Sequence, residues 1–352
     1  MSAESKTEKK KNGFVRFFNR DRLIPLCILV VLCAFIGIIN PVFFTWTTWQ
    51  NILKQVSNVG IIALGAMFVV ASGGLDFTAG DGVSLAGVLA AMTFMATGYS
   101  TFATVAVGVL AGALMGAVNG LVITKLHIQP FVTTLAMMTV IKGVMLLLAE
   151  GTIIHLDIPE ANFVQIAQAE VMIGRFGIPM PFIIFMVMTA IAAVMLHKTR
   201  FGQAVLALGG NSEAARLNGV KVELYTFLVF VVAGTFTGVG AIVTLARVGS
   251  IGITLGGTEL LMNVVAAAVI GGTSVSGGKC NVFGVVCGTF IIICISSMLT
   301  YLNVDANWRD VVKGLIILFA LIIDVSAKKL AQAQEAKRMA ELKAEAHKKL
   351  AA

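Results

Sequence analysis

Charge is what this sequence has least of. Only 12% of its 352 residues are Asp, Glu, Lys or Arg, while 58% are hydrophobic. A soluble domain needs far more charge to cover its surface, so lipid is the solvent for most of the chain. Cysteine is sparse too: Cys27, Cys33, Cys280, Cys287 and Cys294 lie in or beside apolar stretches. Without close-paired ligand spacing they argue against a disulfide framework and a zinc site, and read as small buried apolar residues. No His/Cys/Asp/Glu cluster or nucleophile–base pair falls deep in an apolar stretch, which speaks against an intramembrane enzyme and leaves no metal centre to expect. A nucleotide site is missing as well. The run Gly272-Thr273-Ser274-Val275-Ser276-Gly277-Gly278-Lys279-Cys280 nearly imitates a phosphate-binding loop. Thr273 stands where that loop needs Gly, Cys280 replaces its Ser/Thr, and an apolar segment precedes it instead of a β-strand. The chain is expected to carry no cofactor, and any ATP hydrolysis, with its Mg, belongs to another polypeptide.

Apolar length is what the sequence has in abundance. Stretches of about 17 to 25 residues, enough to cross a bilayer core, recur along it. They lie near 23–40, 52–72, 82–98, 101–124, 131–149, 179–196, 223–246, 259–272, 282–302 and 309–325, the eighth being short and glycine-bounded. The expected fold is an all-α polytopic bundle of about ten spans within 23–326. The first span is longer than a signal region and is followed by Asn40-Pro41, Trp46 and Trp49 rather than a small-residue cleavage site. It reads as a retained span with an outer aromatic anchor.

The net charge of +8 is concentrated at the ends. Lys6, Lys9, Lys10, Lys11, Arg16, Arg20 and Arg22 crowd the segment 1–22, and Lys328, Lys329, Lys337, Arg338, Lys343, Lys348 and Lys349 crowd 327–352. Both are juxtamembrane flanks, so nucleic acid is not the partner. By the positive-inside rule both termini face the cytoplasm of an inner-membrane protein, which requires an even span count. Ten spans place Lys125, His127, Lys198, Arg200, Arg216 and Lys221 inside, and put the acidic 150–178 connection outside. The Ala/Glu/Lys-rich tail reads as a solvated or surface-lying helix.

Several patterns have structural implications. Gly108, Gly112, Gly116 and Gly120 recur every four residues, giving one helix face on which a second backbone can pack. Gly73-Gly74-Leu75-Asp76-Phe77-Thr78-Ala79-Gly80 echoes Gly271-Gly272-Thr273-Ser274-Val275-Ser276-Gly277-Gly278. Non-helical backbone at membrane depth is tolerated only inside protein or beside a water-filled cavity. Polar residues on these breaks, Asp76, Asp81, Thr273, Ser274, Ser276 and Lys279, therefore mark a translocation path or gate, or else ordinary cytoplasmic turns. Lys142 falls mid-span, where a lone ammonium is expensive, so it either serves the path, pairs with Asp76 or Glu150, or snorkels. Lys313 snorkels more easily, and Arg247 and Glu259, which bracket an outer glycine-rich loop, Gly249 to Thr258, are themselves expected to lie in water.

The segment 197–222 is the most informative. Asn211 or Ser212 can cap a short helix, Glu213 favours its positive end, and Gly219 stops it. About two turns of helix isolated in the cytoplasm are too short to be stable alone, which points to docking on a partner. Glu213-Ala214-Ala215-x3-Gly219 resembles the loop through which ATPase subunits push on ABC-importer permeases, without the downstream Ile-x-Leu-Pro of other permease classes. The wider chain resembles the ribose/galactose-type sugar permease family. The marks are Gly74-Leu75-Asp76-Phe77-Thr78-Ala79-Gly80, Asn119-Gly120, Pro130-Phe131-Val132-Thr133-Thr134-Leu135, Thr199-Arg200-Phe201-Gly202, Gly209-Gly210-Asn211, and Gly271-Gly272-Thr273-Ser274 with Gly277-Gly278. They cover roughly 50–325 in family order. One departure is Leu261-Met262-Asn263-Val264, where the family commonly has Glu-Leu-Asp-Ala.

The resemblance implies a type II-like importer permease that pairs with a second copy or a paralogue, an extracytoplasmic sugar-binding protein and a cytoplasmic ATPase. Arg200, Gly202, Asn211, Glu213, Ala214, Ala215 and Gly219 would then serve coupling. Asp76, Thr78, Asn119, Lys142, Asn263, Thr273 and Ser274 would serve the path or gate. The cargo would be a ribose-, galactose- or xylose-like monosaccharide. A nucleoside, inositol or autoinducer-like furanose is the alternative within the class, and an ion-coupled carrier the alternative outside it. Such a carrier wants several embedded carboxylates, of which few are present.

Overall fold

The computed structural model describes residues 20–156, 162–174, 176–252, 255–305 and 307–316, with 318, 319, 322 and 326. The tail 327–352 and all but the last residues of the basic segment 1–22 lie outside the described residues. The chain divides into two units, Met1–Asp305 and Ala306–Ala352.

In the first unit α1 (Arg20–Ile39) leads through a 3-10 turn to α2 (Trp46–Ala71), α3 (Ala79–Ala96), α4 (Thr101–Leu126) and α5 (Pro130–Leu148). Next come β1 (Ile154–His155), α6 (Asn162–Gln168), β2 (Glu170–Ile173), β3 (Phe176–Pro179) and α7 (Met180–Lys198). The short helices α8 (Arg200–Gly210) and α9 (Ser212–Leu217) precede α10 (Val222–Val248). The unit closes with β4 (Ser250–Ile251), α11 (Gly257–Ile270) and α12 (Val282–Tyr301). In the second unit residues 307–316 are helical. There Lys313 is buried instead of reaching outward as expected.

Among the described residues seven helices, α2, α3, α4, α5, α7, α10 and α12, are long and apolar enough to cross a membrane. The apolar parts of α1 (Pro25–Ile39) and α11 (Gly257–Ile270) are shorter. These nine coincide with the first nine expected stretches, and 307–316 opens the tenth. The protein is an all-α, multi-pass membrane protein.

Local chemistry sets the helix ends. Pro130 and Pro181 sit in the first turns of α5 and α7, where a missing N–H costs nothing. The two echoed glycine pairs prove to be the same device. Gly73 and Gly74 donate to Val70 and Val69 carbonyls at the end of α2, while Gly272 and Thr273 donate to Val269 and Ala268 at the end of α11. Gly73 (φ +87°) and Gly272 (φ +83°) are left-handed. Both are Schellman stops, which glycine makes without a Cβ penalty.

The core is built around α2, whose residues from Val56 to Ala71 are all buried. It packs on α7, α10, α11 and α12. Beside it the glycine face of α4 lies directly on α10. A side chain at Gly112 would fall on the Gly234 carbonyl, and one at Gly116 on that of Phe230. The expected packing face is confirmed, and α10 answers it with Gly234 and Gly238.

Two expectations are corrected here. The eighth segment is not a full span: α11 has 14 residues, about 21 Å at 1.5 Å per residue, against about 30 Å of hydrocarbon. Arg247, before the Gly249–Thr258 loop, is likewise withdrawn from water, although Glu259 after it is exposed as expected. Ile251 is fully buried, the Gly252 carbonyl accepts from the Ser84 hydroxyl at 3.1 Å, and Gly256 packs against Gly80. Arg247 is half-buried, with its Nε sealed from solvent and unpaired.

The 150–178 connection is partly ordered. β1 pairs antiparallel with β4, and β2 with β3. Gln50 of α2 donates to the Glu170 carboxylate at 2.7 Å and to the Gly177 carbonyl at 3.1 Å, tying the β2–β3 hairpin to α2.

Candidate functional site

The expected coupling segment folds largely as its residues dictate. Thr199 caps α8 by accepting from the Gly202 N–H at 3.3 Å. A side chain at Gly202 would strike the Leu196 carbonyl. Asn211 caps α9 by accepting from the Ala214 N–H at 2.9 Å, and Gly219 leaves it with φ +82°. Arg200, Glu213 and Ala214 are exposed and Leu217 is 81% exposed, whereas Ala215 is buried. The expected outward face Glu213-Ala214-Ala215 is therefore split. Ala215 turns inward, and α9 lies against α8 and α10 of its own chain. That packing holds a six-residue helix that could not persist alone.

The end of α8 reaches deeper than the sequence announces. Gly209 is wedged between the Schellman turn that ends α2 and the Gly277–Gly278 turn that precedes α12: a side chain there would fall on the Ala71 carbonyl. The Gly278 N–H donates to that same carbonyl at 2.9 Å. A Cβ at Gly277 (φ +79°) would stand 2.7 Å from Gly209 Cα, and one at Gly73 would stand 3.8 Å away. Backbone thus touches backbone where α8 meets the end of α2 and the loop that leads into α12. The paired glycines at 73–74, 209–210 and 277–278 were visible in the sequence, but their meeting was not.

Beyond these turns the chain 72–78 runs non-helically into the protein interior. Asp76 accepts from the Thr78 N–H at 2.8 Å and from the Thr78 hydroxyl. The Thr78 Oγ1 in turn accepts from Asn119 Nδ2 at 2.9 Å, so three of the expected path residues form one buried network. Thr134 joins by donating to the Leu75 carbonyl at 3.1 Å. Asn119 Oδ1 is buried without a hydrogen-bond partner, as is Thr273 Oγ1. Open acceptors and hydroxyls of this kind are uncommon in a packed interior.

The remaining expected path residues stand apart from this network. Thr273 and Ser274 are buried in the second glycine turn, and Asn263 is half-buried on α11. Lys142 is exposed on α5, and the carboxylate its charge reaches is Asp81 rather than the expected Asp76 or Glu150. Asp81 lies in the first turn of α3, buried, beside Gly257 at the N-terminus of α11. The start of α11 inside the bundle is what sequence reasoning missed. Its signal was present in the short, glycine-bounded eighth segment.

The comparisons with known proteins agree with this architecture. Residues 48–321 match the family described as branched-chain amino acid transport system / permease component. The ribose import permease protein of Escherichia coli (strain K12) is 32% identical over 317 residues, 88% of this chain and 96% of that protein. That of Bacillus subtilis (strain 168) is 34% identical over 319 residues, 90% and 96% of the two chains. The galactose/methyl galactoside import permease protein of Salmonella typhimurium (strain LT2) is 36% identical over 314 residues, 84% and 92% of the two chains. No solved structure matches the chain significantly. With a broken-helix interior, an exposed short helix joined to it through glycine, and this extent of likeness, the chain belongs to the permease-component family of the branched-chain amino acid transport system type.

Proposed function

We propose that this chain is the membrane subunit of an ATP-driven monosaccharide importer, working with a second permease copy or paralogue, a cytoplasmic ATPase and an extracytoplasmic sugar-binding protein. The observation that carries this is the wedge at Gly209. A short helix with exposed Glu213, Ala214 and Leu217 is linked through α8 to backbone contacts on the turn that ends α2 and on the Gly277–Gly278 turn. A push on α9 from an ATPase would move the end of α2 and the loop before α12 together, because glycines leave no compressible side chain between them. Residues 72–78 and the Asp76–Thr78–Asn119 network would follow, opening or closing the path. ATP and Mg would be held by the ATPase, since the sequence carries no complete phosphate-binding loop.

Lys142 supports a path or second copy along α5. Exposing a charged side chain to lipid at mid-span costs on the order of 2.5–3.5 kcal/mol, so that face is better placed against water or protein. A monosaccharide is favoured over a branched-chain amino acid because the relatives matching most of the chain are ribose and galactose import permeases. Both termini would face the cytoplasm, with 197–222 inside and 150–178 outside. Proteoliposomes holding the permease with its ATPase and binding protein should take up labelled ribose or galactose only with ATP. Uptake of leucine but neither sugar, or sugar uptake without ATPase, would overturn the reading.

A further inference from the structure

We propose that the cleft between the ends of α4 and α10, beside α9, binds the headgroup and upper acyl chains of an anionic phospholipid. The cavity measures about 600 Å³ and is walled by Leu121 and Lys125 of α4, Arg216 of α9, and Lys221, Leu224 and Phe227 at the start of α10. Both long helices have the same order of side chains. α4 ends here, so Leu121 lies one turn deeper than Lys125. α10 begins here, so Leu224 and Phe227 lie one and two turns deeper than Lys221. The walls are therefore apolar toward the membrane interior and basic at the rim, a step of about 5 Å per turn. A phospholipid has the matching order, with its phosphate above its acyl chains.

Charge and access agree. The cleft's single acid, Glu223, faces Lys125 at 4.0 Å and His127 at 3.9 Å. Arg216 and Lys221 have no carboxylate within ion-pair distance among the described residues. Leu121 (48%) and Leu224 (47%) are exposed, so apolar surface lines the opening. Basic pockets between membrane helices at the cytoplasmic side hold acidic headgroups in this way. The inference rests on the cytoplasmic placement of 197–222, but its test does not depend on transport.

The full-length protein, in nanodiscs of phosphatidylethanolamine with and without phosphatidylglycerol, is released for native mass spectrometry of retained lipid. Phosphatidylglycerol should be retained in preference. Lys125→Gln and Lys221→Gln should each lower that preference about five-fold with melting temperature unchanged. Equal retention of both lipids by the wild type, or an unaltered preference in the double variant, would overturn the proposal. So would displacement by excess inorganic phosphate, which marks a bare anion site, or by the bound ATPase, which marks its footprint. Should the variants misfold, acetylation of the wild type decides: phosphatidylglycerol should shield Lys125 and Lys221, and unshielded lysines reject the site.

Discussion

Along the α4–α10 seam the glycines are helical, and their role is to let two backbones lie against each other. At the ends of α2 and α11 and in the 277–278 turn the glycines are left-handed; they stop helices, and those at 73 and 277–278 admit Gly209 between them. The seam joins two long helices over several turns, so it resists sliding. The turns meet at a few atoms of backbone, so they can pivot. The same residue type joins two helix faces in one region and lets a turn meet a helix end in the other, and spacing tells them apart. Four-residue spacing marks a helix face, whereas adjacent pairs mark an interruption.

The contrast is tested by following stability and transport separately. Gly112→Leu should have the largest effect on stability, since its side chain would strike the backbone of Gly234 and Gly238. Overpacking of this kind costs about 1–3 kcal/mol or more, and purified yield and melting temperature should both collapse. A well-folded Gly112→Leu protein would mean that the seam is not tightly closed. Gly277→Ala should cost less, about 1–2 kcal/mol for a left-handed non-glycine residue. It should nevertheless cut ATP-driven uptake more than it cuts yield, because it disturbs the contact with Gly209. Equal losses of uptake and yield would make the turn a packing element like the seam.

Asp76→Asn keeps the shape and loses a charge-assisted bond, a cost of about 1 kcal/mol. Expression should stay near normal while uptake falls, and wild-type uptake would return Asp76 to the role of a structural turn. Ala214→Arg should leave the melting temperature unchanged, since Ala214 is exposed. It should release the ATPase during purification and abolish uptake. A retained, coupled ATPase would show that α9 is not the coupling element. Ala215, although adjacent, is the wrong probe, because a bulky residue there would unseat α9 from its own chain.

Much of the fold was legible because a membrane helix is a local object. Its length, its caps and its flanking charges are all contiguous in sequence, so nine expected stretches fall on observed helices. Asn211 and Gly219 were readable for the same reason, since a cap needs only its neighbours. The network of the site was harder to read. The Thr78–Asn119 hydrogen bond spans 41 residues of chain, and Ser84 meets Gly252 across 168. No local pattern encodes such partners. Lys142 shows the intermediate case: its mid-span position and cost were evident, but Asp81 as the carboxylate it reaches was not.

By itself, then, the sequence determined that this is a lipid-embedded helical protein, roughly where its apolar helices lie, and which glycines interrupt them. Hydrophobicity, backbone freedom and capping act within a turn or two, so they are written in neighbouring residues. Only the tertiary structure decided that α11 starts inside the bundle, that Ala215 faces inward, and that Gly209 joins the end of α2 to the 277–278 turn. Those outcomes depend on which surfaces meet once the helices pack, and that is a property of many distant residues at once.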